Sequence, residues 1–330
     1  MRRKGIFSAL ASSVFLGLAP VFGKQAILLG LPWQGVVALR TLFAALLLLI
    51  AVLIFKRTYL YIYPAGLLGC ILAGLINGVG SLFFYAALGR IDASLGQLLY
   101  MLYPLFLVIW LWIDGQPPTR LTLFRLLLVI PAIFLLSGGI HYEVDIWGLL
   151  MMLVAATLYA LHLPINQRVL YDMPAPTVTL YTLLAMSAVV VPAFVFSGTQ
   201  LTPALQVAWP ALTGITLVTF ASRLTLFLGV KHLGGMQTAI LGLGELLVTL
   251  LLSFFWLGER LSAIQWAGAL LLVISLGLIS LEKPTPRKGS KESWLSWLRP
   301  PGLRKGLTWP HDRFPGQCAP EKPQIQTRCR

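Results

Sequence analysis

Charge is scarce in this 330-residue chain: only 11% of its residues are Asp, Glu, Lys or Arg, where a soluble globular protein carries about a quarter. That shortage excludes an ordinary water-soluble domain. Cysteine is scarcer still. Cys70 lies inside an apolar stretch and Cys318 and Cys329 near the C-terminus, which gives no basis for a disulfide framework or a metal site. No Gly-rich phosphate loop of the Walker type is present, so ATP is not expected to act here, and no cofactor is implied. Acids number 11 against 25 Lys and Arg, for a net charge of +14. A nucleic-acid partner does not follow from that excess. The basic residues of positions 1–281 fall mostly at the ends of apolar stretches, where they act as topology signals.

What the chain has in quantity is apolar sequence, 58% of all residues. A spanning helix needs roughly 20 such residues. The first 281 positions divide into ten such stretches, near 6–29, 33–55, 64–88, 93–113, 121–140, 146–170, 176–197, 206–230, 236–257 and 263–281. The expected fold is an all-α integral membrane protein with ten transmembrane helices in the lipid bilayer. The first stretch follows Met1-Arg2-Arg3-Lys4 as a signal peptide would, but its apolar pattern continues past Pro20 to Leu29, so it reads as a span. With the N-terminus in the cytoplasm, the inner side receives Arg2, Arg3, Lys4, Lys56, Arg57, Arg120, Arg168 and Lys231, and the outer side only Arg90 and Arg260. Both termini are therefore expected in the cytoplasm and the protein in the cell (inner) membrane.

The halves echo each other about 140 residues apart. Gln25 and Pro32 recur as Gln167 and Pro174, Leu88-Gly89 as Leu228-Gly229, Gln97 as Gln237, and Arg120-Leu121 as Arg260-Leu261. Five helices per copy is an odd number, so the second copy enters the membrane from the opposite side. The ten helices thus read as two inverted five-helix repeats, residues 1–140 and 141–281, an arrangement that many secondary transporters use for alternating access.

In this frame the sequence resembles the EamA-like branch of the drug/metabolite transporter superfamily. The first copy carries Leu16-Gly17 and Lys24 on helix 1, Arg40 on helix 2, Tyr85-Ala86-Ala87-Leu88 ending helix 3, and Pro104 in helix 4. The second has Leu257-Gly258-Glu259-Arg260-Leu261 opening its last helix. Two departures stand out. Thr119 occupies the place of Glu259 in the first copy, and Gly242, Gly244 and Glu245 stand where the family often has a proline midway along helix 9. The resemblance implies transport, with export as the direction and amino acids, other metabolites or drugs as cargo.

Polar residues inside spans are expected to face the bundle interior, as glue between helices or as the lining of a wet cavity. Helix 3 has Asn77, Ser81 and Tyr85, helix 4 Gln97 and Tyr100, and helix 6 Tyr159, His162 and Asn166. Helix 8 has Thr216, Thr219 and Arg223, and helix 9 Thr238, Glu245 and Thr249. Lys24 and Arg125 lie near span ends and are expected to snorkel. Glu245 lies deepest. It is open to three roles: ion-pairing with a buried Arg such as Arg223, binding a cationic or zwitterionic substrate, or carrying a coupling proton. The candidate substrate or coupling set is Glu245, Arg223, Arg40, Asn77, Tyr85, Gln97, Tyr100, His162, Asn166 and Gln237. Arg40 and Arg223 beside one acid hint at a substrate with a carboxylate, such as an amino acid.

Residues 282–330 hold eight prolines and eleven basic residues without a long apolar run, a composition that cannot bury a core. They read as a disordered basic cytoplasmic tail, with Trp294 and Trp297 in a short stretch suited to an anionic leaflet. The reading is a secondary transporter of small polar or amphipathic metabolites. The alternatives are a membrane-embedded enzyme, for which clustered acid/base or metal ligands are missing, and a channel, for which a charge ring or filter is missing. Whether the protein forms a homodimer is left open.

Overall fold

Backbone in hydrocarbon has no water to bond, so each apolar stretch must satisfy its own N–H and C=O groups, which a helix does internally. The computed structural model of the protein describes residues 2–88, 90, 99–115, 117–136, 145–199, 204–248 and 263–278. These residues are helical apart from short turns, with no strand among them. In chain order they form α1 (Arg2–Leu28), α2 (Trp33–Phe55), α3 (Pro64–Leu88), α4 (Tyr103–Ile113) and α5 (Arg120–Leu136). The second series is α6 (Ile146–Leu170), α7 (Ala175–Phe196), α8 (Ala204–Leu233), α9 (Gly235–Gly242) and α10 (Ala263–Gly277). A short 3-10 turn, Arg57–Leu60, joins α2 to the extended residues before α3. Each expected stretch overlaps one of these helices, and α2, α3, α6, α7 and α8 are long and apolar enough to cross a membrane.

The repeat read from sequence has a local counterpart. Pro32 and Pro174 both precede the second helix of their copy, with φ/ψ of −63°/138° and −64°/145°. Proline cannot donate an amide to the preceding turn, so it suits this boundary. Packing repeats as well. Exchanging each helix for the one five places on turns the α1–α8 contact into α6–α3, α2–α8 into α7–α3, and α4–α6 into α9–α1, all of which are present. The pairs α2–α7, α4–α9 and α5–α10 map onto themselves and also touch. The fold is therefore two five-helix repeats interlocked about a pseudo-twofold relation.

Small residues let these helices approach, as expected where dispersion must replace the hydrophobic effect. A Cβ on Gly74 would meet the Thr182 carbonyl and the Ala185 Cβ at 2.5 Å, and one on Gly17 would meet the Glu245 carbonyl at 3.0 Å. Hydroxyls add direct ties: Ser12 donates to the Ser222 carbonyl at 3.2 Å and Ser13 to the Leu241 carbonyl at 2.8 Å, so α1 is bound to α8 and α9. The outside is a band of exposed Leu, Ile, Phe and Trp, among them Ile54, Phe55, Leu127, Phe134 and Trp209. Such a continuous apolar exterior belongs against lipid.

Two differences from the expected helices matter. The fourth stretch is interrupted by a turn at residues 101–102, between helical residues 99–100 and α4, and its residues 93–98 are outside the described ones. The ninth is interrupted. Leu243 N–H bonds the Ile240 carbonyl at 3.2 Å, one residue short of the α-helical partner, and helix resumes over residues 244–248.

Candidate functional site

The interruption in the ninth stretch sits two residues before Glu245. Because Leu243 N–H takes the Ile240 carbonyl, the Ala239 carbonyl loses its usual partner in the ladder. The Tyr103 hydroxyl of α4 donates to it at 2.7 Å. That approach needs glycine nearby, since a Cβ on Gly242 would lie 2.6 Å from the Tyr103 Oη. The chain's own Gly242 and Tyr103 thus stabilise a break in the helix that carries Glu245, itself only 7% exposed.

Aromatic rings from both repeats gather beside this break. Tyr103 meets Tyr159 of α6 edge-on at 4.9 Å, and Tyr100 lies 5.3 Å from Tyr159 and 4.7 Å from Phe84. Cations cap the group. Arg223 of α8 lies 5.7 Å above the Tyr159 ring, and Arg40 of α2 5.0 Å above Tyr85. Glu245 acts electrostatically on Tyr100, Tyr103 and Tyr159, while Arg223 acts on Tyr100, Tyr159 and His162. His162 stacks obliquely on Tyr159 at 4.7 Å. One buried cluster thus draws Arg40, Tyr85, Tyr100 and Tyr103 from the first repeat and Tyr159, His162, Arg223 and Glu245 from the second.

Its hydrogen-bonding capacity is incompletely used. Among the described residues, Arg40 Nε, Arg223 Nη1 and His162 Nε2 are buried without a partner. His162 Nδ1 contacts the Tyr159 carbonyl, which can only accept, so Nδ1 carries the proton and a neutral ring would present Nε2 as an acceptor. Buried polar atoms without partners are costly. A carboxylate can accept from the two cationic donors, and a donating group such as an ammonium can satisfy the histidine acceptor.

The family assignment follows from a comparison over both halves. The sequence profile of the EamA-like transporter family matches residues 3–138 and again residues 146–281. The chain belongs to that family. It is thus a transporter of the drug/metabolite type and a multi-pass membrane protein. No curated protein matches it. A crystal structure of another protein, 15% identical, shares its fold with a TM-score of 0.72 over 85% of this chain and 98% of that one.

In this EamA-like chain the expected candidates divide into groups. Arg40, Tyr85, Tyr100, His162, Arg223 and Glu245 come together. Asn77 and Asn166 face α7 instead: Asn77 Nδ2 reaches the Met186 sulfur at 3.5 Å and Thr182 donates to Asn166 Oδ1 at 3.1 Å. Gln237 is buried in the first turn of α9. Gln97 and Thr249 lie outside the described residues, and of the Lys24 side chain nothing is described. The threonine stripe of the eighth span turns inward on its own helix, Thr216 to the Leu212 carbonyl at 2.7 Å and Thr219 to the Ile215 carbonyl at 2.6 Å.

One expectation is overturned. Arg125 does not snorkel to an interface; it is 0% exposed, with Nε donating to the Ser275 carbonyl at 2.9 Å while the Ser275 hydroxyl bonds the Arg125 carbonyl at 3.1 Å. The carbonyl it finds is in the last turn of α10, where the helix presents its negative end. Sequence reasoning also missed Tyr103. Its signal was the Gly242-Leu243-Gly244 run, which marks a weak point in a helix that a neighbour must support.

Proposed function

We propose that the protein is a secondary active exporter of small polar or amphipathic metabolites, amino acids or drug-like compounds, working by alternating access. The reading places it in the cell (inner) membrane with both termini cytoplasmic. It takes residues 1–140 and 141–281 as the moving repeats, and residues 282–330 as a basic cytoplasmic tail. The observation that carries it is the central cluster: partnerless buried nitrogens of Arg40, Arg223 and His162, beside Glu245, on helices of both repeats. A carboxylate suits the partnerless guanidinium nitrogens, an apolar or aromatic body suits the tyrosine rings, and Glu245 suits an ammonium group or a coupling proton.

Counterflow in proteoliposomes of the full chain tests this, using a labelled panel of zwitterionic, anionic and cationic metabolites with and without an imposed pH gradient. Saturable counterflow of carboxylate-bearing compounds is expected, and Glu245→Gln should abolish any acceleration by the gradient. Transport by Glu245→Gln at wild-type rate and pH dependence would remove Glu245 from the site. A conductance resolved after a voltage jump would replace the carrier with a channel.

A further inference from the structure

A second charged group lies away from the central cluster, at the end of the bundle where α1 begins; a Cβ on Gly5 there would lie 2.7 Å from the His232 Cβ. Arg168, in the last turn of α6, donates from Nη2 and Nε to Asp114 Oδ2 at 2.6 and 3.1 Å. Asp114 directly follows α4 and is 0% exposed, and Arg168 is 8% exposed. The preceding residue, Gln167, accepts the Gly235 N–H on Oε1 at 2.7 Å and donates from Nε2 to the Tyr171 hydroxyl at 2.6 Å. Gly235 opens α9, and a Cβ there would meet Gln167 Oε1 at 2.7 Å, so glycine lets the amide close on this turn. Two consecutive residues of α6 therefore grip the end of α4 and the start of α9. These are the counterpart helices that Tyr103 ties together at the central cluster.

A buried ion pair is a poor device for stability alone, because desolvation offsets its attraction and apolar residues of similar size often do as well. It suits a contact that must be strong when formed and hydrated when parted. The neighbouring geometry allows parting: Gly234, between α8 and α9, has φ 92°, a left-handed conformation open to glycine. The repeat supplies an asymmetry. Gln25, the counterpart of Gln167, lies near the opposite end of α1 from Gly5 and is exposed, while Gln167 is buried and bonded.

We propose that Arg168–Asp114 and Gln167–Gly235 form the latch that closes the end of the bundle bearing the N-terminus, and that its release opens the central cluster to that side. The inference rests on the transporter reading but on no particular substrate.

The test uses the full chain with Cys70, Cys318 and Cys329 replaced by Ser and a reporter Gln237→Cys, buried just beyond the latch. The protein is placed in right-side-out and inside-out vesicles and modified by a membrane-impermeant cationic methanethiosulfonate. Asp114→Asn should raise the modification rate roughly tenfold or more from the side of the N-terminus only, as loss of one state's bias implies. The swap Asp114→Arg with Arg168→Asp should restore slow modification. Gln167→Leu, which leaves no charge uncompensated, should act in the same direction and decides the matter if Asp114→Asn does not fold. A folded variant with an unchanged rate, or a rate raised equally from both sides, overturns the latch. Side-specific opening together with no flux of any panel compound would instead keep the latch and remove the proposed cargo.

Discussion

Tyr103 contributes a single hydroxyl, donated to the Ala239 carbonyl where the ninth span is interrupted. Removing it in Tyr103→Phe keeps the ring against Tyr159 but leaves a buried carbonyl unsatisfied, at a cost of about 1–3 kcal/mol in stability. Thermal unfolding in detergent measures that loss. In transport, the same variant should raise KM more than it lowers kcat, because it loosens the residues leading to Glu245 without removing them. Arg125 makes the opposite lesson. Its position near a span end reads as a snorkelling cation, yet its environment is set by α10, which is about 150 positions away in sequence. Residue identity shows that a charge lies at depth; it does not show which backbone will meet it. Glu245 was legible because an acid in the middle of an apolar run has few explanations. Tyr103 was not, because a tyrosine at a helix start reads equally well as part of an aromatic belt.

At the scale of elements, the ninth span is the informative one. Gly242→Ala would bring a Cβ within 2.6 Å of the Tyr103 Oη and force that contact apart. It should therefore reproduce the Tyr103→Phe phenotype, and the two changes together should cost less than their sum, which a double-mutant cycle would show. The start of α6 offers a pH-dependent contact. Asp145 caps it by accepting the Trp147 N–H at 2.9 Å, and its carboxylate pairs with Arg90 at 3.3 Å, joining α6 to the end of α3. Desolvation acts against the charge, but the Trp147 N–H, the Arg90 guanidinium and the Gly148 N–H hold the carboxyl below its ordinary value. A carboxyl lowered in the folded state stabilises the fold above the ordinary carboxylate range and ceases to do so as pH falls through the lowered value. Asp145→Asn keeps an acceptor for the cap and removes the charge. Its melting midpoint should lie below wild type at neutral pH, and the difference should close in acid.

The whole molecule is organised by the exchange that maps each helix onto the one five places on. That relation was legible from Pro32 and Pro174, from Gln25 and Gln167, and from an odd number of apolar stretches per copy. It predicts which helices make the main contacts, and α1–α8 with α3–α6, α2–α8 with α3–α7, and the self-paired α2–α7 and α5–α10 obey it. The relation ends before the tail, since the family profile stops at residue 281. Deleting residues 285–330 should leave counterflow close to the full-length rate; complete loss with normal membrane insertion would show that the tail takes part in transport.

Sequence by itself determined the solvent, the helical class and the repeat, because hydrocarbon forces long apolar helices and an odd helix count forces inversion. It also marked Glu245, Arg40, Arg223 and His162, since polar groups at depth must be accounted for. Only the tertiary structure decided what surrounds them. The tyrosine cluster, the Tyr103 support of the broken helix, the Arg125–Ser275 tie and the Arg168–Asp114 grip each join residues more than 50 positions apart. In apolar spans, hydropathy marks depth along a helix, while the partner across the interface depends on the shape of close-packed small residues, which a one-dimensional pattern does not carry.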